Sequence, residues 1–195
     1  MKVHVITISD RAAAGVYEDR SGPEIESVLR EAIPASRITR TIVPDETDAI
    51  RDAILAAAGR AHAEAGPHSG TAFWGTASGP GSKPAVPEDA ADFILTTGGT
   101  GISPRDITPE VTAALIERRL PGISEALRAA SLRETPSAML SRGEAGMIGQ
   151  TIIVNFPGSV RACRLCTTTI IPVMQHAIAM REGKGHENME VLSGT

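Results

Sequence analysis

Aromatic residues are nearly missing from this chain: three Phe, one Trp and one Tyr make up 3% of 195 residues. Large rings bury the most area per side chain, so their scarcity leaves the interior to Ala, Val, Ile and Leu. Cysteine is scarce too. Cys163 and Cys166 form a lone C-x-x-C, and a structural zinc site, which takes four protein ligands, cannot be built from one pair. A thioredoxin-like dithiol starts a helix beside a βαβ strand, whereas R-A-C-R-L-C falls inside the opening turns of the last expected helix, so the reading is packing without a redox role. No run approaches the ~18 apolar residues of a membrane span. Met1-Lys2-Val3-His4 leads straight into a strand pattern with no signal-peptide pattern, so a cytoplasmic protein away from membranes is expected. With 19 Lys and Arg against 23 Asp and Glu, the formal net charge is −4. The chain lacks the basic excess of a nucleic-acid binder and offers no bulk attraction to an anion. It also lacks a G-x-x-x-x-G-K-[ST] loop and a full G-x-G-x-x-G fingerprint, the two familiar phosphate cradles. Phosphate binding then has to be local, through backbone amides, a few basic side chains and metal.

What is there is a chain of single-domain length with strand and helix patterns in alternation. A β-branched run at Val3–Ile8 predicts the first strand and Arg37–Val43 the second, while the apolar runs at Phe93–Thr97 and Thr151–Val154 predict buried strands, the former parallel. Helical spacing puts Ile25, Val28, Leu29 and Ile33 on one face, and Ile50, Ile54 and Ala57 or Ala58 on another. Further helices are expected over 108–116, over 123–132 after a break at Pro121-Gly122, and over 159–180, kinked or divided by Pro172. Residues 143–149 read as a turn. Along the last helix Leu165, Ile170, Val173, His176 and Ala177 are expected in the core or a subunit contact. The architecture expected is α/β, a three-layer sandwich around a mostly parallel sheet. Residues 1–182 are read as one domain. A Gly/Pro/Ser-rich insertion at about 59–87, holding Trp74, reads as mobile, and 183–195 as a frayed polar tail.

The chemistry concentrates after the third strand. Thr96 and Thr97 end it, and Gly98-Gly99-Thr100-Gly101 follow at once. Such a turn admits positive φ, lets a ligand approach the main chain, and gathers N–H groups into one concavity. Thr108-Pro109-Glu110 looks like a helix start with a hydroxyl cap, proline at the first position and an acid in the first turn. Between loop and helix stand Ser103, Arg105 and Asp106. An acid beside a phosphate loop repels phosphate unless a cation intervenes, which makes Asp106 a Mg²⁺ ligand candidate. Ser9 and Asp10 follow the first strand and Asp45 the second; each is either a ligand group at a sheet edge or a turn or helix cap. Thr151–Val154 runs into Asn155-Phe156-Pro157-Gly158-Ser159, a second turn at a helix start, with Ser159 as cap.

The string T-T-G-G-T-G-x-x-x-R-D-x-T-P-E-x-T resembles the signature of the molybdopterin-binding family, which includes the Mog/MoaB-type molybdopterin adenylyltransferases and the N-terminal domain of gephyrin. T-I-S-D-R-A-x-x-G-x-Y-x-D-x-S-G-P at the first strand, V-P-D-E at Val43–Glu46, and L-P-G-I-S-E-A-L-R-x-x-S-L-x-x-T-P-x-A-M-L-S-R at Leu120–Arg142 continue the likeness. N-F-P-G-S-V-R-A is similar to the family's N-L-P-G-S-P-K-A. Phe156 replaces leucine, Val160 replaces proline, and Arg161 replaces lysine with a cation of different geometry. The resemblance covers nearly everything except 59–87 and the tail. It implies adenylylation of molybdopterin with ATP and Mg²⁺ and release of pyrophosphate, in molybdenum cofactor biosynthesis. Asp45 and Asp106 would hold or orient Mg²⁺. Ser9, Asp10, Thr97, Gly98, Gly99, Thr100, Gly101, Ser103, Arg105, Pro157, Gly158, Ser159 and Arg161 would bind pterin or nucleotide. A homotrimer and a molybdenum-insertion partner protein are implied as well. The alternative is a non-catalytic molybdopterin-binding or scaffolding protein.

Overall fold

A computed structural model describes residues 1–60 and 89–181. The insertion from residue 61 onward, with Trp74, and the polar tail lie outside the described residues.

Strands β1 (Lys2–Ile8), β2 (Arg37–Val43), β3 (Phe93–Thr97), β4 (Arg118–Arg119), β5 (Ala145–Ile148) and β6 (Thr151–Phe156) form one sheet in the order β2-β1-β3-β6-β5-β4. The first four in that order run parallel, while β5 and β4 return antiparallel along the far side. Helices α1 (Asp10–Ala13), α2 (Ser21–Ala32), α3 (Thr47–Ala57), α4 (Thr108–Leu115), α5 (Pro121–Leu132) and α6 (Val160–Arg181) connect them, with a 3₁₀ turn at Pro136–Leu140.

Alternation along β1 decides the layers. Val3 and Val5 point to one side, where Phe93, Leu95, Val154 and Phe156 meet Ile25 and Leu29 of α2, Leu127 of α5, and Cys163, Cys166, Ile170 and Met174 of α6. Ile6 and Ile8 point to the other, with Ile94 and Ile153, against Ile50 and Ile54 of α3 and Val111 of α4. Both faces of the central strands are covered, which is why β1, β3 and β6 carry apolar residues on both sides, while the edge strand β2 is exposed along most of its length. The three-layer architecture read from the sequence is the one observed.

Several local expectations give way to pairing. The 143–149 stretch holds β5, whose Gly146 lies opposite Ile153. A Cβ there would sit 2.5 Å from Ile116 Cγ2, so the residue that suggested a turn is what lets Ile116 pack against the strand. Pro121 does not break a helix but opens α5, where its missing N–H costs nothing. α2 begins at Ser21, ahead of the apolar face that starts at Ile25, because Asp19 Oδ1 accepts the N–H groups of Ser21 and Gly22 at 3.0 and 3.1 Å. α6 runs through Pro172 as one element. Val173 is exposed on it and Met174 is buried in its place. Burial pushes the Cys163 and Cys166 thiols up to about 11 and about 12, so both are neutral packing groups, as read.

At the edge where the parallel strands start, Asp92 is a fastening point. Its carboxylate takes the Lys2 N–H at 2.7 Å and the Arg181 guanidinium at 2.5 Å, and its carbonyl takes the Ile152 N–H at 2.9 Å.

Candidate functional site

The opposite edge is where the parallel strands end. Ile8 lies beside Val43, Thr7 beside Thr97, and Thr97 beside Phe156, so the loops after β2, β1, β3 and β6 are neighbours. Strand order reverses between β1 and β3. The chain leaves those two strands toward opposite faces, which opens a crevice at that point.

The glycine loop lies on the β3 side of the crevice. Gly98 and Gly99 have φ of +104° and +61°, conformations that a side chain resists. The loop's four carbonyls all turn into the protein. Gly98 O accepts from Thr108 Oγ1 at 3.0 Å and Gly99 O from Thr108 N at 3.1 Å. Thr100 O accepts from Arg142 N at 3.0 Å and Gly101 O from Arg142 Nε at 2.6 Å. Gly98 N is held by Phe156 O at 3.3 Å. No described residue accepts from the N–H groups of Gly99, Thr100 and Gly101, a donor set that suits an anion. Thr108 was expected to cap α4. Ile107 occupies the cap position instead, and the Thr108 hydroxyl anchors the loop.

The loops after β1 and β2 are locked together. Asp10 N donates to Asp45 Oδ2 at 3.0 Å, and Asp45 N donates to Asp10 Oδ1 at 2.9 Å. Asp45 therefore does not cap α3; Glu46 holds that position without a side-chain bond. Ser9 is a cap, accepting Ala12 N at 3.3 Å at the start of α1. The Arg105 guanidinium reaches back across the crevice to Asp10 Oδ2 and lies 3.5 Å from the Asp45 carbonyl.

The two acids flank the glycine loop. A Cβ on Gly99 would fall 3.1 Å from Asp45 Oδ1, and one on Gly101 would fall 3.0 Å from Asp106 Oδ2. Asp106 Oδ2 also accepts Ser103 N at 2.8 Å, and Ser103 Oγ accepts Arg105 N at 3.4 Å. Partial burial holds the Asp45 carboxyl above its ordinary value. The nearby Asp10 and Asp106 charges push the same way, against the Asp10 N–H bond and Arg105. A carboxylate kept reluctant to ionise next to two others is one that gains from a cation.

The turn after β6 closes the row. Pro157 O accepts from Thr97 Oγ1 at 2.9 Å and from Cys163 Sγ at 3.2 Å, while Gly158 O accepts from Ser21 Oγ at 2.7 Å. A Cβ on Gly158 would sit 3.3 Å from Gly98 Cα, so this turn and the glycine loop touch backbone to backbone. Ser159 Oγ accepts Ala162 N at 3.3 Å and caps α6 as expected. Arg161 is not brought to the crevice. It is exposed and paired with Glu134 at the end of α5.

Two contributors were not singled out from the sequence. Asp19 accepts the Thr7 hydroxyl at 2.9 Å while holding the start of α2. Arg142 grips the glycine loop from behind. Both stand inside the motif strings, and that was the available signal; their spacing alone says nothing about where they reach.

A doubly covered parallel sheet, with an amide-rich glycine turn and flanking aspartates at its switch point, makes an α/β protein whose crevice at the strand ends suits an anionic ligand. Residues 83–176 match the model of a probable molybdopterin binding domain. The chain is 33% identical over 177 residues to the molybdopterin adenylyltransferase of Helicobacter pylori J99, covering 90% of this chain and 85% of that one. It is 36% identical over 191 residues to gephyrin of Dictyostelium discoideum, covering 93% of this chain. It spans 23% of that gephyrin's length, and 24% of the molybdenum cofactor synthesis protein cinnamon of Drosophila melanogaster. The crystal structure of the molybdopterin biosynthesis enzyme MoaB from Thermus thermophilus superposes with a TM-score of 0.70 at 34% identity, covering 94% of this chain and 97% of that one. The chain belongs to the molybdopterin-binding family.

Proposed function

We propose that this chain is a molybdopterin adenylyltransferase. It transfers the adenylyl group of ATP to the terminal phosphate of molybdopterin and releases pyrophosphate. The observation that carries this reading is the glycine loop with all four carbonyls turned inward, set between Asp45 and Asp106. The likeness to the molybdopterin adenylyltransferase of Helicobacter pylori supports it.

A terminal phosphate oxygen of the pterin attacks the α-phosphorus of ATP, forming one P–O bond. The bond from that phosphorus to the β-phosphate bridging oxygen breaks, and pyrophosphate leaves with the electron pair. A phosphate monoester has a second pKa of about 6, so the nucleophile is already ionised at neutral pH and no strong base is needed. The protein's task is to bring two polyanions together in line. The N–H groups of Gly99, Thr100 and Gly101 hold phosphate oxygens, and Arg105 bridges the acidic side of the crevice.

Among the described residues no three His, Cys, Asp or Glu side chains gather as a metal cage. Magnesium commonly takes one or two protein carboxylates plus substrate phosphates, so Asp45 and Asp106 fit an ion that arrives with the nucleotide. When bound, it neutralises charge on the polyphosphate.

The test is product formation. Purified protein with ATP, Mg²⁺ and molybdopterin should yield adenylylated pterin and pyrophosphate in equal amounts, and ATP–Mg²⁺ alone should raise the melting temperature. A non-catalytic pterin-binding or scaffolding protein would form no product and would ignore the nucleotide.

Assembly belongs to the same proposal. The chain works in the cytoplasm as one domain over 1–182 and as a homotrimer, and light scattering is expected to return three times the chain mass. A monomer mass at micromolar concentration would overturn that. A molybdenum-insertion protein is the proposed partner, since the relatives that exceed this chain in length leave room for a second domain beside the matched one. Among the described residues no helix is long and apolar enough to cross a membrane.

A further inference from the structure

We infer that Arg142 is a positioning residue for the adenylyl transfer, setting the shape of the anion-binding loop without touching the substrates; this rests on the reading just given. Arg142 follows the 3₁₀ turn at Pro136–Leu140, 41 residues after Gly101 in sequence. Its guanidinium nevertheless joins three pieces of the site. Nε donates to Gly101 O at 2.6 Å, Nη2 donates to Asp106 O at 2.5 Å, and Nη1 pairs with Glu110 in the first turn of α4.

These contacts span the segment that matters. Gly101 closes the glycine loop, Asp106 carries a flanking carboxylate, and Glu110 belongs to the helix behind them. A planar fork can donate to all three at once because its donors are fixed relative to one another, which a single ammonium cannot reproduce. Gripping the carbonyls of Gly101 and Asp106 sets the orientation of the adjoining peptide planes, and with it the direction of the loop's donors and the seat of Asp106. Salt bridges at exposed sites add little stability, and Arg142 is partly exposed. Its contribution is therefore to geometry more than to folding.

The backbone bond from Arg142 N to Thr100 O survives any side-chain change, so substitution isolates the guanidinium. Arg142→Ala is expected to lower kcat/KM for ATP by about 10²-fold, the scale of a misplacement of about 1 Å in a preorganised site. Millimolar guanidinium ion should recover part of that loss in the Ala variant and leave the wild type unchanged. Arg142→Lys should fall between the two, and it provides the same comparison if the Ala variant does not fold. Melting temperature and the fraction of active protein are measured on the same preparations. Wild-type kinetics in either variant, or a loss matched by a lower melting temperature and untouched by guanidinium, would overturn the assignment. If the wild type itself forms no adenylylated pterin, it is the proposed function that fails.

Discussion

Asp45→Asn should cost about 10²-fold or more in adenylylation rate, the scale for losing one main electrostatic contact, while the protein melts at or above the wild-type temperature. The two halves of this expectation have one cause. Partial burial and the neighbouring Asp10 and Asp106 charges hold the Asp45 carboxyl above its ordinary value. Folding therefore favours its protonated form. That advantage is complete below the usual carboxylate range and is lost as pH rises through the raised value. At neutral pH the ionised group is a burden on the fold that asparagine removes, and the Asn side-chain carbonyl can still accept the Asp10 N–H that Oδ2 now holds. The melting advantage of the variant should shrink as the pH is lowered into the carboxylate range. Asp106→Asn should show a comparable loss of rate, with its Ser103 bond kept by the amide oxygen. If both acids were only turn supports, stability would fall by about 0.5–2 kcal/mol with turnover per folded molecule unchanged. Rates and melting curves on the same preparations separate the two, residue by residue.

Gly98→Ala is expected to damage fold and rate together. Its φ of +104° carries a strain of about 1–3 kcal/mol for a residue with a side chain. The new Cβ would also stand 2.2 Å from the Ile8 carbonyl oxygen, a backbone atom that cannot rotate away. Relief requires β1 and β3 to part at the point where the crevice opens. A domain of this size loses about 2–4 °C per kcal/mol, so melting should fall by several degrees and activity with it. Gly122→Ala is the matched control. No atom lies within 4 Å of the added carbon, and alanine is favoured in a helix by about 0.5–1 kcal/mol, so melting should rise slightly and the rate should stay. Equal melting of wild type and Gly98→Ala would show that the loop does not need its left-handed backbone.

The central strands β1, β3 and β6 were legible because both of their faces are covered and their sequences are rich in β-branched and apolar residues. The edge strand β2, exposed along most of its length, was legible from its β-branched residues. The returning half was not. β4 is two arginines and β5 is Ala-Gly-Met-Ile, strings whose extended form depends on β6 being alongside. For the same reason the glycines of 143–149 suggested a turn, and pairing with β6 outweighs that preference at Gly146, whereas Pro121 keeps its local preference by standing at a helix start. Within the site, Gly98–Gly101 and the aspartates could be found from composition at strand ends. The reciprocal bonds between Asp10 and Asp45, the diversion of Arg161 to Glu134, and the reach of Arg142 could not, since each joins residues tens of positions apart through side-chain rotamers. Thr108 shows the limit most plainly. Its identity suits a helix cap, and the nearby Gly98 carbonyl takes the hydroxyl instead.

The fastening at Asp92 has an evolutionary consequence. It ties Lys2, Ile152 and Arg181 together where the strands begin, a full strand length from the loops proposed to bind the ligands. This fastening is thus made of residues that take no part in the loops at the other end. Substitutions in those loops that keep the left-handed glycines and their carbonyl anchors can therefore change what the crevice accepts while this end of the sheet stays as it is.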